Sequence, residues 1–162
     1  MSSESKIAYC KTPIGTAKLV GDADGLQSVT ITDEDYATVP HTIPDVLATA
    51  VTQLNAYFNK DLIQFDLKLN LIGTDFQKKV WTLLQEIPFG KALSYSDLSI
   101  RYGDIKAIRA IAHANAVNPF WIIVPCHRII GKDGSLTGYA GALWRKKWLL
   151  EHEGILTQMS LF

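Results

Sequence analysis

The chain has 162 residues, 48% of them apolar and 20% charged, with 16 basic side chains balanced by 16 acidic ones. This is the composition of an ordinary globular domain or of two small packed ones. No apolar run approaches the ~20 residues of a membrane-spanning helix, and the opening MSSESKIAYCKTPIG lacks the basic and apolar regions of an export signal.

Two widely separated cysteines, Cys10 and Cys126, make no disulfide framework, so a cytoplasmic location with both thiols free is expected. The charges are unevenly placed. Residues 1–70 carry 5 Lys/Arg against 9 Asp/Glu, a net −4, and residues 71–162 carry 11 against 7, a net +4. A basic second half points to an anionic partner such as a nucleic-acid backbone, although a merely solvated surface gives the same count.

The runs KIAYCKT, TAKLVGD and LQSVTIT are β-rich and separated by turn residues at Pro13–Gly15 and Asp22–Gly25, which predicts an antiparallel meander. Pro44 then opens a helix with Leu47, Val51, Leu54 and Phe58 on one face. FDLKLNL alternates and reads as a further strand. Nothing in this first piece, residues 1–70, suggests chemistry; it reads as scaffold.

The second piece, residues 71–162, starts with a capping box, Thr74 with Gln77, followed by an apolar stripe of Phe76, Val80, Leu83, Leu84 and Ile87. Pro88 and Gly90 stop that helix. Ser94 or Ser96 caps a short helix that ends at Gly103, and Asp104 caps another running to about Ala116. Two short helices joined at a glycine outline a helix–turn–helix. Ile105, Ile108, Ile111 and Ala112 form the face expected to be buried. Opposite them, Lys106, Arg109, Ala110 and His113 mix basic and small groups, which suits close approach to phosphates and bases. A solvated basic helix is the alternative.

Cys126 sits in PFWIIVPCHRIIGKDG and has three readings. Zinc would need about four ligands, and no C-x-x-C or H-x-x-x-H spacing is present, so no metal site is expected. A packed thiol fits the WIIVP run, which resembles a core strand. A nucleophile fits the other features: Pro125 ends the strand, His127 and Arg128 mark the exit from the interior, and GKDG and TGYAG offer turns as pocket walls. A thiol of pKa ~8.5 needs a base or a positive charge to attack at neutral pH. Neighbours on a strand point to opposite faces, so the spacing does not by itself give a direct Cys126–His127 hydrogen bond, and a bridging water is the alternative.

With these residues assembled, VPCHRIIGKDGSLTGYAGALWRKKWLLEHEG resembles the methylated-DNA–protein-cysteine methyltransferases, also called O6-alkylguanine-DNA alkyltransferases. GTDFQKKVWTLLQEIPFGKALSYSDL, Asn118–Pro119 and LLEHEG match in order and spacing. The resemblance covers roughly residues 73 to 156. It implies an N-terminal ribonuclease-H-like α/β domain (antiparallel sheet plus helix) followed by a mostly helical C-terminal domain with a helix–turn–helix. It also implies irreversible transfer of an alkyl group from guanine O6, less efficiently from thymine O4, to Cys126 without a cofactor.

The resemblance assigns roles residue by residue. Glu153 would orient His127, which takes the Cys126 proton through a water, and Tyr95 would donate to the departing base. Arg109 would be the finger that fills the gap left by an extruded nucleotide. Lys106, Ala110, His113 and Ala114 would meet duplex DNA through its minor groove. Asn118 would be a hinge, with Tyr139, Ala140 and Ile129 at the pocket. The protein would act as a monomer. Ala112 and Ala116 stand where relatives commonly carry Gly, Ile108 where they carry something smaller, and His113 is bulkier than usual. Two other functions fit parts of the pattern: a non-catalytic lesion binder, which the presence of Cys126 argues against, and a Cys–His–Glu hydrolase, which leaves the basic helix unexplained.

Overall fold

The computed structural model describes residues 4–136 and 138–155. The chain divides into two compact units, Met1–Ile72 and Gly73–Phe162. None of the described helices is long and apolar enough to cross a membrane.

In the first unit, β1 (Lys6–Thr12), β2 (Gly15–Asp22) and β3 (Gly25–Thr32) form an antiparallel sheet in chain order, with a register shift at Val20/Gly21. Alternation decides the inner face: Ala8, Cys10, Ala17, Leu19, Val29 and Ile31 are buried. Helix α1 (Asp45–Phe58) covers this sheet with Leu47, Ala50, Val51, Leu54 and Tyr57. The expected stripe ended on Phe58, but Tyr57 is the fully buried ring and Phe58 packs edge-on against it at 5.3 Å.

FDLKLNL is not a full strand. Its Lys68 and Asn70 exchange hydrogen bonds with Leu26 (2.9 and 2.8 Å), a single parallel bridge at Leu26 and Leu69. Phe65, Leu67 and Leu69 are only half-buried, so the alternation is real but weakly enforced. Cys10 lies in the sheet core, where burial pushes its thiol up to about 11 and leaves it inert.

The second unit packs α2 (Asp75–Leu84), α3 (Tyr95–Tyr102) and α4 (Ile108–Ala116) together, with α5 (Leu143–His152) following a long looped segment. The Thr74–Gln77 capping box forms, and α2 buries Val80, Trp81 and Leu84. Trp81 was missing from the predicted stripe; its indole N–H donates to the Ala114 carbonyl (2.9 Å), tying α2 to α4. Ser94 rather than Ser96 caps α3, with Asp97 completing a second capping box. Gly103 closes α3 at φ 102°, a left-handed cap that favours glycine. The helix–turn–helix outline is therefore present, and the fold class is the expected one.

Its second helix differs in detail. Asp104 caps only a 3₁₀ turn, Ile105–Ala107, and α4 proper starts at Ile108. The break shifts the buried face to Ile111, Ala114 and Asn115, while Ile105 is 52% exposed. Two short strands, β4 (Leu93–Ser94) and β5 (Ile129–Ile130), pair in parallel and connect α3 to the segment carrying Cys126.

Candidate active site

The segment before Cys126 is not the core strand that WIIVP suggests. It is a buried, tightly folded turn stitched by Ile123 N–H to Trp121 O (2.8 Å), Val124 N–H to Phe120 O (3.0 Å) and Cys126 N–H to Val124 O (2.7 Å). Ile122 takes φ 72°, a conformation that costs a β-branched residue about 1–3 kcal/mol. Asn118 holds the turn from inside. Its Nδ2 donates to Val124 O (2.8 Å) and Phe120 O (3.3 Å), and its Oδ1 accepts from Phe120 N–H (2.9 Å). Strain and internal bonding together define where Cys126 points.

Cys126–Arg128 then form one 3₁₀ turn. His127 and Arg128 do not mark an exit from the interior: they are 0% and 6% exposed. Burying them is tolerable because Glu153, 5% exposed at the end of α5, is shared by both. His127 Nε2–H donates to Glu153 Oε2 (2.7 Å), while Arg128 donates from Nε to Oε1 (2.7 Å) and from Nη2 to Oε2 (3.0 Å). A third Arg128 donor reaches Ile87 O (2.6 Å), and Gly90 N–H approaches Glu153 Oε1 at 3.4 Å. An ionised carboxylate only accepts, so Nε2 carries the His127 proton and Nδ1 presents a lone pair. Nδ1 has no hydrogen-bond partner among the described residues.

The electrostatics follow from this geometry. Burial lowers the His127 pKa against the opposing pull of Glu153, keeping the ring neutral. Burial alone would raise Glu153, but His127 and Arg128 outweigh it and hold the carboxyl far below the usual range. Burial also raises the Cys126 thiol, opposed by an Asn118 side-chain hydrogen bond and by the Lys146 charge. Cys126 is thus a packed thiol, 5% exposed and kept mostly protonated by burial, with Asn118 and Lys146 beside it as groups that favour the thiolate.

Lys146 was not foreseen, because RKK reads as a solvated basic run. It is fully buried, donates to Ile129 O at 2.5 Å, and burial brings its ammonium down to about 8. Replacing Lys146 by Met should withdraw a cation from the thiol and leave the Ile129 carbonyl bare. At neutral pH the reaction of Cys126 with a thiol-directed alkylating reagent should slow about tenfold, the equivalent of one pKa unit, and its pH profile should move upward.

The remaining candidates divide. Tyr139 is 9% exposed and tilts against Trp121, ring centroids 5.9 Å apart, with Gly141 close to both rings. A Cβ at Gly141 would fall 2.5 Å from Tyr139 and 2.9 Å from Trp121, so a side chain there would part the two rings. Burial and the nearby Cys126 push the Tyr139 phenol well above its ordinary range, so it stays neutral. Ala140 is exposed, and its amide makes no hydrogen bond to any described residue. The Ile129 side chain is fully buried in β5, and its backbone carbonyl accepts from Lys146. Tyr95 begins α3, half-buried, with its hydroxyl beside Gly138.

On the helix–turn–helix, Lys106, Arg109, Ala110 and His113 are all exposed, as a nucleic-acid face requires. Ala114 is not part of that face. It is 1% exposed and turned toward α2, because the buried stripe of α4 runs through Ile111, Ala114 and Asn115. No group of three or more His, Cys, Asp or Glu among the described residues is placed to hold a metal ion.

Known proteins resemble this chain in sequence and fold. Family models match residues 6–71 as the ribonuclease-like domain, and residues 75–155 as the DNA binding domain, of 6-O-methylguanine DNA methyltransferase. The methylated-DNA–protein-cysteine methyltransferase of Mycobacterium tuberculosis is 45% identical over 145 residues, covering 88% of both chains. Its counterpart from Methanosarcina acetivorans is 44% identical over 151 residues, covering 91% of this chain and 97% of its own. The crystal structure of the Mycobacterium tuberculosis protein in complex with DNA matches with a TM-score of 0.82 at 43% identity, over 91% of each chain.

Proposed function

The chain belongs to the 6-O-methylguanine DNA methyltransferase family, whose reaction moves a methyl group from DNA to a protein cysteine, and on that premise we propose that Cys126 is the acceptor. The observation that carries this reading is the buried imidazole next to Cys126 in the chain: His127 Nδ1 has no hydrogen-bond partner among the described residues, and Nε2 is held by a Glu153 that Arg128 anchors.

The step balances simply. His127 Nδ1 takes the thiol proton through a water, and the thiolate sulfur attacks the alkyl carbon. The carbon–O6 bond breaks, and its electron pair leaves with guanine, which is protonated with help from the Tyr95 hydroxyl. The imidazolium formed in between is stabilised by Glu153, as in other nucleophile–base–carboxylate arrangements. A thioether results, which thiol exchange does not reverse, so each molecule acts once.

Alkylated guanine inside a duplex cannot reach a thiol that is 5% exposed, so the nucleotide must be extruded. The exposed face of α4 would enter the minor groove, with Arg109 filling the vacated stack and Lys106, Ala110 and His113 around it. The substrate would be double-stranded DNA bearing O6-alkylguanine, with O4-alkylthymine a poorer one, acted on by a monomer in the cytoplasm.

Arg109→Ala tests the extrusion step. Its rate with an O6-methylguanine duplex should fall about tenfold or more, since unstacking costs a few kcal/mol, while reaction with free O6-benzylguanine falls far less. Equal losses with both substrates would remove Arg109 from that role.

A further inference from the structure

The ion pair that anchors His127 is wrapped by a segment that carries none of the reacting groups. After α2, Ile87 is buried, and Pro88–Lys91 form a turn closed by Lys91 N–H to Pro88 O (3.2 Å). Gly90 takes φ 82°, a left-handed conformation that suits glycine, and its amide comes to 3.4 Å from Glu153 Oε1. At the start of the segment, the Ile87 carbonyl accepts from Arg128 Nη1 (2.6 Å). Between these two contacts, the Phe89 ring lies with its centroid 5.9 Å from the Arg128 guanidinium.

Phe89 also meets the end of α5. His152, the residue directly before Glu153, approaches the Phe89 ring edge-on, with centroids 6.5 Å apart at 75°. One helical turn earlier, Trp148 stacks on His152 at 4.9 Å and 16°. Phe89, His152 and Trp148 are half-buried, whereas Arg128 and Glu153 are 6% and 5% exposed. The rings are the part of this cluster that meets water, and the ion pair is the part that does not.

That division has a chemical consequence. Opposite charges attract more strongly where water is excluded, and Glu153 is oriented by donors from His127 Nε2 and from Arg128 Nε and Nη2. Water admitted to the pair would offer the carboxylate other donors. A carboxylate free to turn no longer selects the His127 tautomer with its proton on Nε2.

We propose that Phe89, backed by His152, is a positioning residue for the transfer reaction: its ring keeps water from the Arg128–Glu153 pair and so holds His127 with Nδ1 open as the base. The inference rests on the functional reading above. The charged and titratable groups around His127 are Glu153, Arg128 and Lys146, with the Cys126 thiol next to it in the chain. Burial is the largest influence on the imidazole and lowers its pKa; Glu153 raises it, and Arg128 and Lys146 lower it. Water entering past Phe89 therefore moves the acid limb of the transfer reaction to higher pH.

Phe89→Ala and Phe89→Leu test this. Urea unfolding first establishes that both are folded under assay conditions. In Phe89→Ala, single-turnover transfer from an O6-methylguanine duplex should slow about tenfold or more, as misplacement of a catalytic group does. Its affinity for the duplex should be unchanged, and the acid limb of its pH profile should move upward. Nitrogen NMR of labelled imidazoles, on the protein alone, should show one His127 tautomer in the unmodified protein and a mixture in Phe89→Ala. Phe89→Leu restores an apolar cover and should recover most of the rate and the single tautomer. If Phe89→Ala does not fold, His152→Ala supplies the same test, with the same direction of change in profile and tautomer.

A normal rate with an unmoved profile in Phe89→Ala would overturn the proposal. A slower rate with tautomer and profile unmoved would mark a packing role only, and equal losses in the alanine and leucine variants would rule out exclusion of water as the cause; either result also overturns it. If the unmodified protein acquires no methyl group from the duplex, the functional reading fails first. The tautomer comparison still decides, without DNA, whether Phe89 positions His127.

Discussion

Glu153→Ala is expected to abolish alkyl transfer and to destabilise the second unit by about 3–5 kcal/mol, the usual effect of removing one partner from a buried ion pair. The magnitude follows from what Glu153 holds. Its two oxygens accept from His127 and twice from Arg128, and all three side chains are buried. Without the carboxylate, the guanidinium is left in the interior with the Ile87 carbonyl and the Phe89 ring, and His127 loses the acceptor that sets its tautomer. Urea unfolding at neutral pH reads the stability, and a single-turnover assay reads the transfer. Replacing Glu153 and Arg128 together by apolar residues should recover part of the stability and none of the transfer. Recovery of transfer in that double variant would show that the carboxylate is structural only.

The same groups predict the acid limb of the stability profile. Burial holds the folded His127 pKa below its ordinary ~6.5, so as pH falls the unfolded chain takes up this proton first and stability declines below that value. Glu153 is depressed in the folded state, so its contribution is complete above its ordinary ~4.3 and is lost as pH falls further. Both effects run in one direction. Urea midpoints should fall in two stages below about pH 7, and Glu153→Ala should lack the lower stage.

Cys126→Ala is expected to reduce transfer to background while leaving the fold and the binding of alkylated duplex DNA largely intact. The thiol contributes the attacking sulfur, and no described neighbour can replace it: Asn118 and Tyr139 are not nucleophiles, Lys146 is occupied at the Ile129 carbonyl, and Cys10 belongs to the other unit. Structurally the change removes one small buried atom from a turn whose bonds come from Asn118 and the backbone, so unfolding should shift by roughly 1 kcal/mol or less, within the range of ordinary substitutions. Binding should still weaken with salt, as counterion release requires. Gel-shift and calorimetric titrations against O6-methylguanine duplex would measure both. Loss of binding along with transfer would mean that Cys126 supports the fold of the site rather than the chemistry alone.

Features governed by local rules were legible in the sequence. The three strands of the meander lie within a residue or two of where alternation and turn residues put them, and Thr74, Gly103 and the proline ahead of α1 mark helix ends as expected. What escaped was decided by tertiary contact. WIIVP has the composition of a strand, but Asn118 supplies bonds that fold it into a turn, and no pattern within the run announces that. The resemblance named Glu153 as the partner of His127, but by residue type His127 and Arg128 look like surface residues, and the hold of Glu153 on Arg128, 25 positions back, shows only in the fold. Lys146 hides in a basic triplet for the same reason: its partner, the Ile129 carbonyl, is a backbone atom 17 residues away. On α4, the break at Ala107 displaced the helical frame, which exposed Ile105 and buried Ala114. A lysine or an arginine in an apolar segment carries its meaning in its partner, and partners distant along the chain become visible only in the fold.

The most direct test of the central claim is the intact mass of the protein after incubation with a short duplex containing one O6-methylguanine, followed by peptide mapping. The account predicts a single methyl increment per molecule, saturating with excess DNA and located on Cys126, with Cys10 unmodified. Tight binding without an increment, or turnover without a covalent product, would contradict it.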